Sequence, residues 1–432
     1  MADSIVLNVL IPADLTDDEY DQCGFPVGNR YFEPAASADF KPSEARSPLT
    51  GAGLIITPLG MPIPGKKGER FKYGRIAGYQ VSANIPACTA GHNRQLVNGV
   101  WQAGLIAIVL LKCWLVENGC TAKGLAHFES KNSFISSVTL TYLFVYATQQ
   151  QAREVLHEFR THSEAVLNAS KTKKGGLPAA FSYPPKPDPG KDFYTYTSYV
   201  RMREHKIAAY VKERGQPGAF LLPVVNKRLE ASLQASSEAT LRVEVKVHGK
   251  WLVARELSRL QDWRENSNAY ELAFGLVRED LRLDENIRSK RLKRSTVASL
   301  PLNSREKSYL LPYLEGVCIR EEHNDARSME HRAWCKAYSA ARRRILEVTG
   351  LDLNIPYASH TRRLVPTLSA KLKYPGEYSP RTEWAEHVFS RASVPRYVET
   401  LNWYIQVKLS GRDDCPMPPL RDMGKEETEG DG

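Results

Sequence analysis

The chain has 432 residues, of which 42% are hydrophobic and 25% are charged, and its formal net charge is +10. That apolar content and length are enough for two or three folded domains with real cores, which excludes a wholly disordered chain. The excess of basic residues suits a polyanionic partner such as nucleic acid.

Cysteine usage and motif content exclude several classes of protein. The seven cysteines are scattered and form no Cys-x-x-Cys pair, so zinc ribbons and thioredoxin-like redox sites are not expected, and free thiols in a reducing cytoplasm are the simplest account. No Gly-x-x-x-x-Gly-Lys-Ser/Thr sequence is present, which excludes a P-loop motor. Unwinding of a duplex would therefore need a separate helicase.

The N-terminal half predicts an α+β sheet domain. Residues 5–11 are apolar enough for a first strand, and the many prolines between 26 and 64 predict short strands and loops. A helix is expected over 97–116, with Asn93 or a neighbour as its cap and His92 in the preceding turn. Its apolar core, 105–116, is too short for a membrane span and predicts a buried helix. A strand over 134–147 and a helix over 149–167 follow.

A proline-rich connection, 178–189, leads to an aromatic run at 193–199 that alternates like a strand. The tyrosines of that run could belong to the core or stack on unpaired bases, and both interpretations stay open.

Residues 207–212 carry a tyrosine and a lysine two positions apart. If this segment is extended, Tyr210 and Lys212 point to the same side of the sheet. A phenol oxygen can attack a backbone phosphate, and an ammonium group beside it stabilises the charge that develops. A tyrosine at the edge of a core is the ordinary alternative for Tyr210.

A second strand is predicted over 241–248, where valines at 243, 245 and 247 alternate with polar residues. The polar positions hold Arg242, Glu244, Lys246 and His248, an acid flanked by bases. A carboxylate on such a strand can hold a divalent cation, and a solvated strand face is the alternative.

Four sequence blocks give the chain a likeness to a known family. They are Ala-Gly-His-Asn at 90–93, the strand at 134–142, Ala-Tyr-Val-Lys at 209–212 and Leu-Arg-Val-Glu-Val-Lys at 241–246. In this order and spacing the chain resembles the gene II type replication initiators of filamentous phages. The resemblance covers roughly residues 85 to 255.

The resemblance implies a rolling-circle initiator that nicks and rejoins the plus strand of a double-stranded origin through a phosphotyrosine. It implies that Tyr210 is the covalent tyrosine, that Lys212 is its basic companion and that Glu244 belongs to a Mg²⁺ or Mn²⁺ site. One departure is that Thr139 stands where the family keeps an aspartate. Glu129, Glu204 and His127 are candidates for the missing metal ligand.

From about residue 265 the pattern becomes helical, with helices predicted over 272–283, 304–311 and 329–348. We therefore predict a catalytic nicking-closing domain over 1–265, a helical and DNA-binding domain over 266–410, and an acidic disordered tail over 411–432. Basic clusters lie at 288–294, 342–344 and 362–363. The residues expected to bind DNA are Arg242, Lys246, Arg288, Lys290, Arg291, Lys293 and Arg294.

The sequence thus predicts an α+β protein with a sheet-based catalytic domain followed by a mainly helical one. Its predicted function is a metal-dependent DNA endonuclease and strand transferase in the bacterial host cytoplasm. The expected partners are double-stranded and single-stranded phage DNA together with host helicase and polymerase, and no membrane. The alternative is a non-catalytic origin-binding protein or repressor of phage replication.

Overall fold

A computed structural model describes residues 1–26, 42–63, 72–94, 96–171, 198–201, 204–212, 227–264, 268–281, 283, 292–317, 329–349, 351, 353, 357, 368–376 and 393–412. Within these residues the protein is α+β, as the sequence predicts.

Eight strands form one antiparallel sheet in the order β2-β3-β4-β1-β5-β8-β7-β6. They are β1 (Ala2–Leu10), β2 (Ser43–Arg46), β3 (Gly53–Ile63), β4 (Lys72–Asn84), β5 (Ser133–Val145), β6 (Ser198–Arg201), β7 (His205–Val211) and β8 (Thr240–His248).

The helices lie between and after these strands. They are α1 (Asp17–Cys23), α2 (Ile85–Ala90), α3 (Val100–Glu117), α4 (Ala122–Leu125), α5 (Gln149–Lys171), α6 (Lys227–Glu238), α7 (Gly249–Val253), α8 (Asn268–Asp280), α9 (Ser304–Leu314), α10 (Met329–Thr349), α11 (Leu368–Lys371) and α12 (Ser393–Leu409). Short 3₁₀ helices occur at Ser130–Asn132, Leu260–Trp263 and Arg294–Thr296.

Alternation of apolar residues builds the sheet and covers one of its faces. Ile5, Leu7 and Val9 of β1 are buried, and the three valines of β8 are fully buried. The apolar helix α3 packs on β1 and β4, and α12 packs on α3. By length and composition α3 could cross a membrane, but 67% of it is buried inside the protein. The expected buried helix is therefore confirmed.

The proline-rich start forms longer strands than the sequence predicts, since β3 has 11 residues and β4 has 13. Strand β3 contains Pro58, which has no N–H to donate to a ladder. The neighbouring β2 pairs only with residues 53–56 of β3, so Pro58 lies beyond the end of that ladder. A proline is tolerated at such an edge position, and the strand continues.

The chain divides into two compact units. Unit 1 comprises residues 1–156, 180–276 and 374–432, and unit 2 comprises 157–179 and 277–373. Unit 2 has its own core, built mainly from α9 and α10, with buried Leu310, Tyr313, Tyr338 and Ile345. The units are interleaved along the chain, whereas the sequence prediction places consecutive domains with boundaries at 265 and 410. Which unit carries which function stays a prediction.

Candidate active site

The pairing of β7 with β8 brings Tyr210 and Glu244 together. Tyr210 lies opposite Arg242 and Ala208 lies opposite Glu244, so Tyr210 and Glu244 are diagonal neighbours on one face of the sheet. The Tyr210 hydroxyl donates a hydrogen bond to Glu244 Oε1 at 2.5 Å. Extended structure over 207–211 is confirmed, and the predicted tyrosine and acid are in direct contact.

A turn after α2 holds the two basic groups of the site. Lys212 Nζ donates to the Asn93 carbonyl oxygen at 3.0 Å and also to Asn93 Oδ1. Arg242 Nη1 donates to the same carbonyl at 2.8 Å. The turn follows Gly91, whose left-handed backbone ends α2. Asn93 therefore fixes Lys212 and Arg242.

The expectation that Asn93 caps the long helix is wrong. Helix α3 begins only at Val100, its N-cap residue is Gly99, and no side chain caps it. His92, by contrast, is a turn residue as expected, because its Nδ1 accepts a hydrogen bond from the Arg94 backbone N–H at 3.2 Å. Burial, together with the charges of Arg94 and Lys212, lowers the pKa of His92 to about 4.

Asp3 is a member of the site that sequence reasoning missed. It lies on β1, is 7% exposed, and accepts a hydrogen bond from Asn84 Nδ2 at 3.0 Å. Its charge acts on Tyr210, Lys212, Arg242 and Glu244. The available signal is the one acid at the start of a mainly apolar strand, because a buried carboxylate requires nearby partners.

Burial is the first cause of the pKa shifts of Tyr210, Glu244 and Lys212. It raises the pKa of Tyr210 well above its ordinary value, and the negative charges of Glu244 and Asp3 add to that shift. Burial and the charge of Asp3 also raise the pKa of Glu244. The pKa of Lys212 falls to about 6, first because of burial and next because of the charge of Arg242. At neutral pH the phenol is therefore protonated and the amine is mostly neutral.

The Arg242 guanidinium is buried beside Tyr210. It is 1% exposed and lies over the Tyr210 ring, with its central carbon 5.8 Å from the ring centroid. Its Nε and Nη2 are buried and make no hydrogen bond to the residues that the structure describes. Because a buried, unsatisfied charged donor is costly, a phosphate oxygen at these nitrogens would stabilise the site. The sequence places Arg242 on a half-buried polar face, and the structure corrects this to full burial.

Two acids of the site, Asp3 and Glu244, are candidate metal ligands. Asp3 is buried and Glu244 is half-buried, and one or two carboxylates with water molecules are the donor set that Mg²⁺ uses. No group of three or more His, Cys, Asp or Glu side chains suited to a metal occurs in the described part of the chain.

The residues that the sequence offers in place of the missing aspartate make contacts elsewhere or are exposed. Thr139 on β5 accepts a hydrogen bond from Ser4 Oγ at 2.8 Å. Glu129 forms an ion pair with Lys131 at 2.5 Å, and the His127 ring lies against Phe25. Glu204 is exposed. The acid electrostatically coupled to Glu244 is Asp3, on the strand next to Thr139.

The remaining predicted DNA contacts are dispersed. Lys246 is half-buried on β8 opposite Thr139 and Lys206. Lys293 and Arg294 are exposed, and Arg294 forms an ion pair with Glu315. Arg288, Lys290 and Arg291 lie outside the described residues, as do positions 193–197 of the aromatic run, 362–363, and most of the predicted acidic tail.

Comparisons with known proteins do not assign the chain to a family. No family model and no curated protein matches the chain. A solved structure to which it is similar is that of a rolling circle replication initiator protein from Geobacillus stearothermophilus. The two chains share 10% identity over 82% of this chain and 98% of the other, with a TM-score of 0.23. That score does not establish a shared fold.

Proposed function

We propose that the protein is a DNA strand transferase in which Tyr210 forms a covalent bond to a backbone phosphate. The observation that carries the proposal is the hydrogen bond from Tyr210 to Glu244 inside a buried cluster of basic groups. Three of the four sequence blocks that resemble gene II type initiators supply this cluster, and the fourth forms the adjacent strand β5. An ordinary core tyrosine would not need two buried basic groups and two acids, one buried and one half-buried, beside it.

The reaction exchanges one phosphate ester for another. Tyr210 Oη attacks phosphorus, the bond from phosphorus to the bridging oxygen of one nucleotide breaks, and a tyrosyl phosphodiester forms. The phenol hydrogen already points at Glu244 Oε1, which receives the proton and returns it to the departing oxygen. Attack by that hydroxyl, or by one from another strand end, reverses the step and rejoins DNA.

Lys212 and Arg242 supply positive charge when the phosphate binds. Lys212 is mostly neutral in the free site because its pKa is about 6. An incoming phosphodiester carries a negative charge, which favours the ammonium form and raises that pKa. Arg242 stays charged throughout, and its Nε and Nη2, which make no hydrogen bond to the described residues, would donate to the phosphate. Both basic groups of the site would thus be charged only with substrate in place.

Asp3 and Glu244 would hold a divalent cation, Mg²⁺ or Mn²⁺. Such an ion supplies positive charge to the non-bridging phosphate oxygens during transfer. With Asp3 included, an acid on the neighbouring strand would replace the one absent from position 139. Glu244 then orients both the phenol and the ion.

The resemblance to gene II type initiators suggests where the strand transfer takes place. We propose that the transfer opens and closes the plus strand at a phage origin in a bacterial host's cytoplasm. Host helicase and polymerase would then act on the opened duplex, since the sequence has no P-loop motif of its own.

A covalent capture experiment tests the proposal. Labelled 40-nucleotide single strands tiled across both strands of the replicon that carries the coding sequence are incubated with the protein and Mn²⁺ or Mg²⁺, then separated on a denaturing gel. We expect a heat-stable protein–DNA band that Tyr210→Phe abolishes and Tyr199→Phe, in β6, retains. Loss of the band in Tyr199→Phe alone would contradict the assignment. Binding without any band would instead favour the non-catalytic origin-binding protein or repressor.

A further inference from the structure

The net positive charge of the chain is concentrated in unit 2. This unit holds 24 of the 59 basic residues but only 14 of the 49 acidic ones, a formal net charge of +10. Unit 1 holds 35 of each and is formally neutral. Because phosphate contacts dominate affinity for duplex DNA, unit 2 is the part of the chain suited to bind it.

Helix α10 of unit 2 has one apolar face and one basic face. Tyr338, Ala341 and Ile345 are buried, and they lie on one side of the helix with the half-buried Trp334. The opposite side exposes Ala333, Lys336, Ser339, Ala340, Arg343 and Arg344. At 100° per residue these six positions span an arc of about 140°. The exposed face is therefore continuous over three turns.

The composition of this face is unlike that of a simply solvated helix. The six exposed positions include three basic side chains and no acidic one, whereas solvated helices usually alternate both signs. The acids of the helix, Glu330 and Glu347, stand near its two ends. Between the basic positions stand alanine and serine, whose short side chains allow a close approach to the helix backbone. A helix is about 10 to 12 Å wide with its side chains, which matches the width of the major groove of B-DNA, about 12 Å.

We propose that the exposed face of α10 docks in the major groove of duplex DNA, with Lys336, Arg343 and Arg344 on the phosphates and the small residues toward the bases. This rests on the proposed function, because it supplies the duplex recognition that a strand transferase acting at an origin needs. The core of α9 and α10 holds the helix in place while its outer face binds.

The salt dependence of binding tests the basic positions. A labelled random-sequence 30-base-pair duplex is titrated with the full chain from 50 to 200 mM NaCl. Each lost phosphate contact lowers the slope of log K against log salt by about 0.9. For the triple variant Lys336→Gln, Arg343→Gln, Arg344→Gln, we expect the magnitude of this slope to be smaller than that of the parent chain by about two to three.

A matched variant controls for net charge. Lys123→Gln, Lys250→Gln, Arg412→Gln removes three exposed basic groups from unit 1, and its slope should equal that of the parent chain. Equal losses in the two triple variants would overturn the proposal, as would no loss in the α10 variant. Circular dichroism and thermal unfolding check that both variants are folded before their slopes are compared.

A neutral substitution tests docking of the helix itself. Ala340→Trp adds bulk at the centre of the face without changing charge, so we expect duplex affinity to fall at least tenfold. Ser308→Trp adds the same bulk at an exposed position of α9 and should leave affinity within twofold. Similar effects of the two tryptophans would contradict insertion of α10.

Covalent capture on single strands separates this proposal from the proposed function. The α10 triple variant should still form the Tyr210 adduct, since single strands need no major-groove docking. If the parent chain forms no adduct, the strand-transfer proposal fails, and the salt slopes still decide whether α10 binds duplex.

Discussion

At the scale of residues, Asn93 organises the site. Its carbonyl oxygen accepts hydrogen bonds from both Lys212 and Arg242, which keeps two basic groups close to each other and to Tyr210. Burial is the first cause of the low pKa of Lys212, and the nearby charge of Arg242 is the second.

Stability should depend on pH through Lys212. Its pKa is about 6 in the folded protein and 10.5 ordinarily, so between these values only the unfolded chain holds the proton. Raising the pH from 7 to 9 therefore favours folding by about 1.4 kcal/mol per pH unit from this group. In urea unfolding, the free energy of unfolding of the parent chain should rise with pH more steeply than that of the Lys212→Met variant, by this amount. Parallel pH profiles for the two proteins would refute the shift.

Glu244 should matter for chemistry more than for DNA binding. Glu244→Gln keeps the shape of the side chain and can still accept the Tyr210 hydrogen bond, but it can neither take up the proton nor hold a cation well. We expect the rate of adduct formation to fall at least 100-fold with affinity for single strands within threefold. Glu129→Gln, at an exposed acid paired with Lys131, should react at the parent rate. A Glu244→Gln variant that reacts normally would remove Glu244 from the mechanism.

At the scale of elements, strands β1 and β4 approach each other closely at Gly78. A Cβ at Gly78 in β4 would lie 2.3 Å from the backbone oxygen of Val9 in β1. Backbone atoms cannot move aside as a flexible side chain can, so Gly78→Ala should destabilise the fold by about 2 kcal/mol. Gly53→Ala in β3 meets nothing within 4 Å and should change stability little. Chemical denaturation of both variants measures the difference, and equal stabilities would show that β1 and β4 can separate without cost.

The elements also show what sequence patterns can and cannot predict. Alternation predicts β7 and β8 well, because a buried strand face requires an apolar residue at every second position. It therefore places Tyr210 and Glu244 on strands but says nothing of which strands pair. Asp3 was missed for that reason, since its proximity to Glu244 arises from β1 and β8 both flanking β5, which are contacts distant in sequence. The cap of α3 was misplaced because Asn93 bonds across the fold to Lys212 and not within its own segment.

At the scale of the whole molecule, the net positive charge and the candidate active site belong to different units. The Tyr210 cluster lies in formally neutral unit 1, and the net charge of +10 lies in unit 2. A search for consecutive domains in the sequence cannot reveal this, because residues 157–179 join unit 2 while 374–432 join unit 1. Local composition predicts the helical character of 266–410, but grouping by contact requires the folded chain.

The most direct test of the central claim is mass spectrometry of the protein after reaction with the tiled single strands and Mn²⁺. Nuclease and trypsin digestion releases the peptide of residues 207–212, which contains Tyr210 and no other tyrosine. The phosphotyrosine mechanism predicts that this peptide gains the mass of a nucleotide, with fragment ions that place it on Tyr210. A nucleotide mapped to any other residue, or covalently bound DNA with the 207–212 peptide unmodified, would contradict the mechanism.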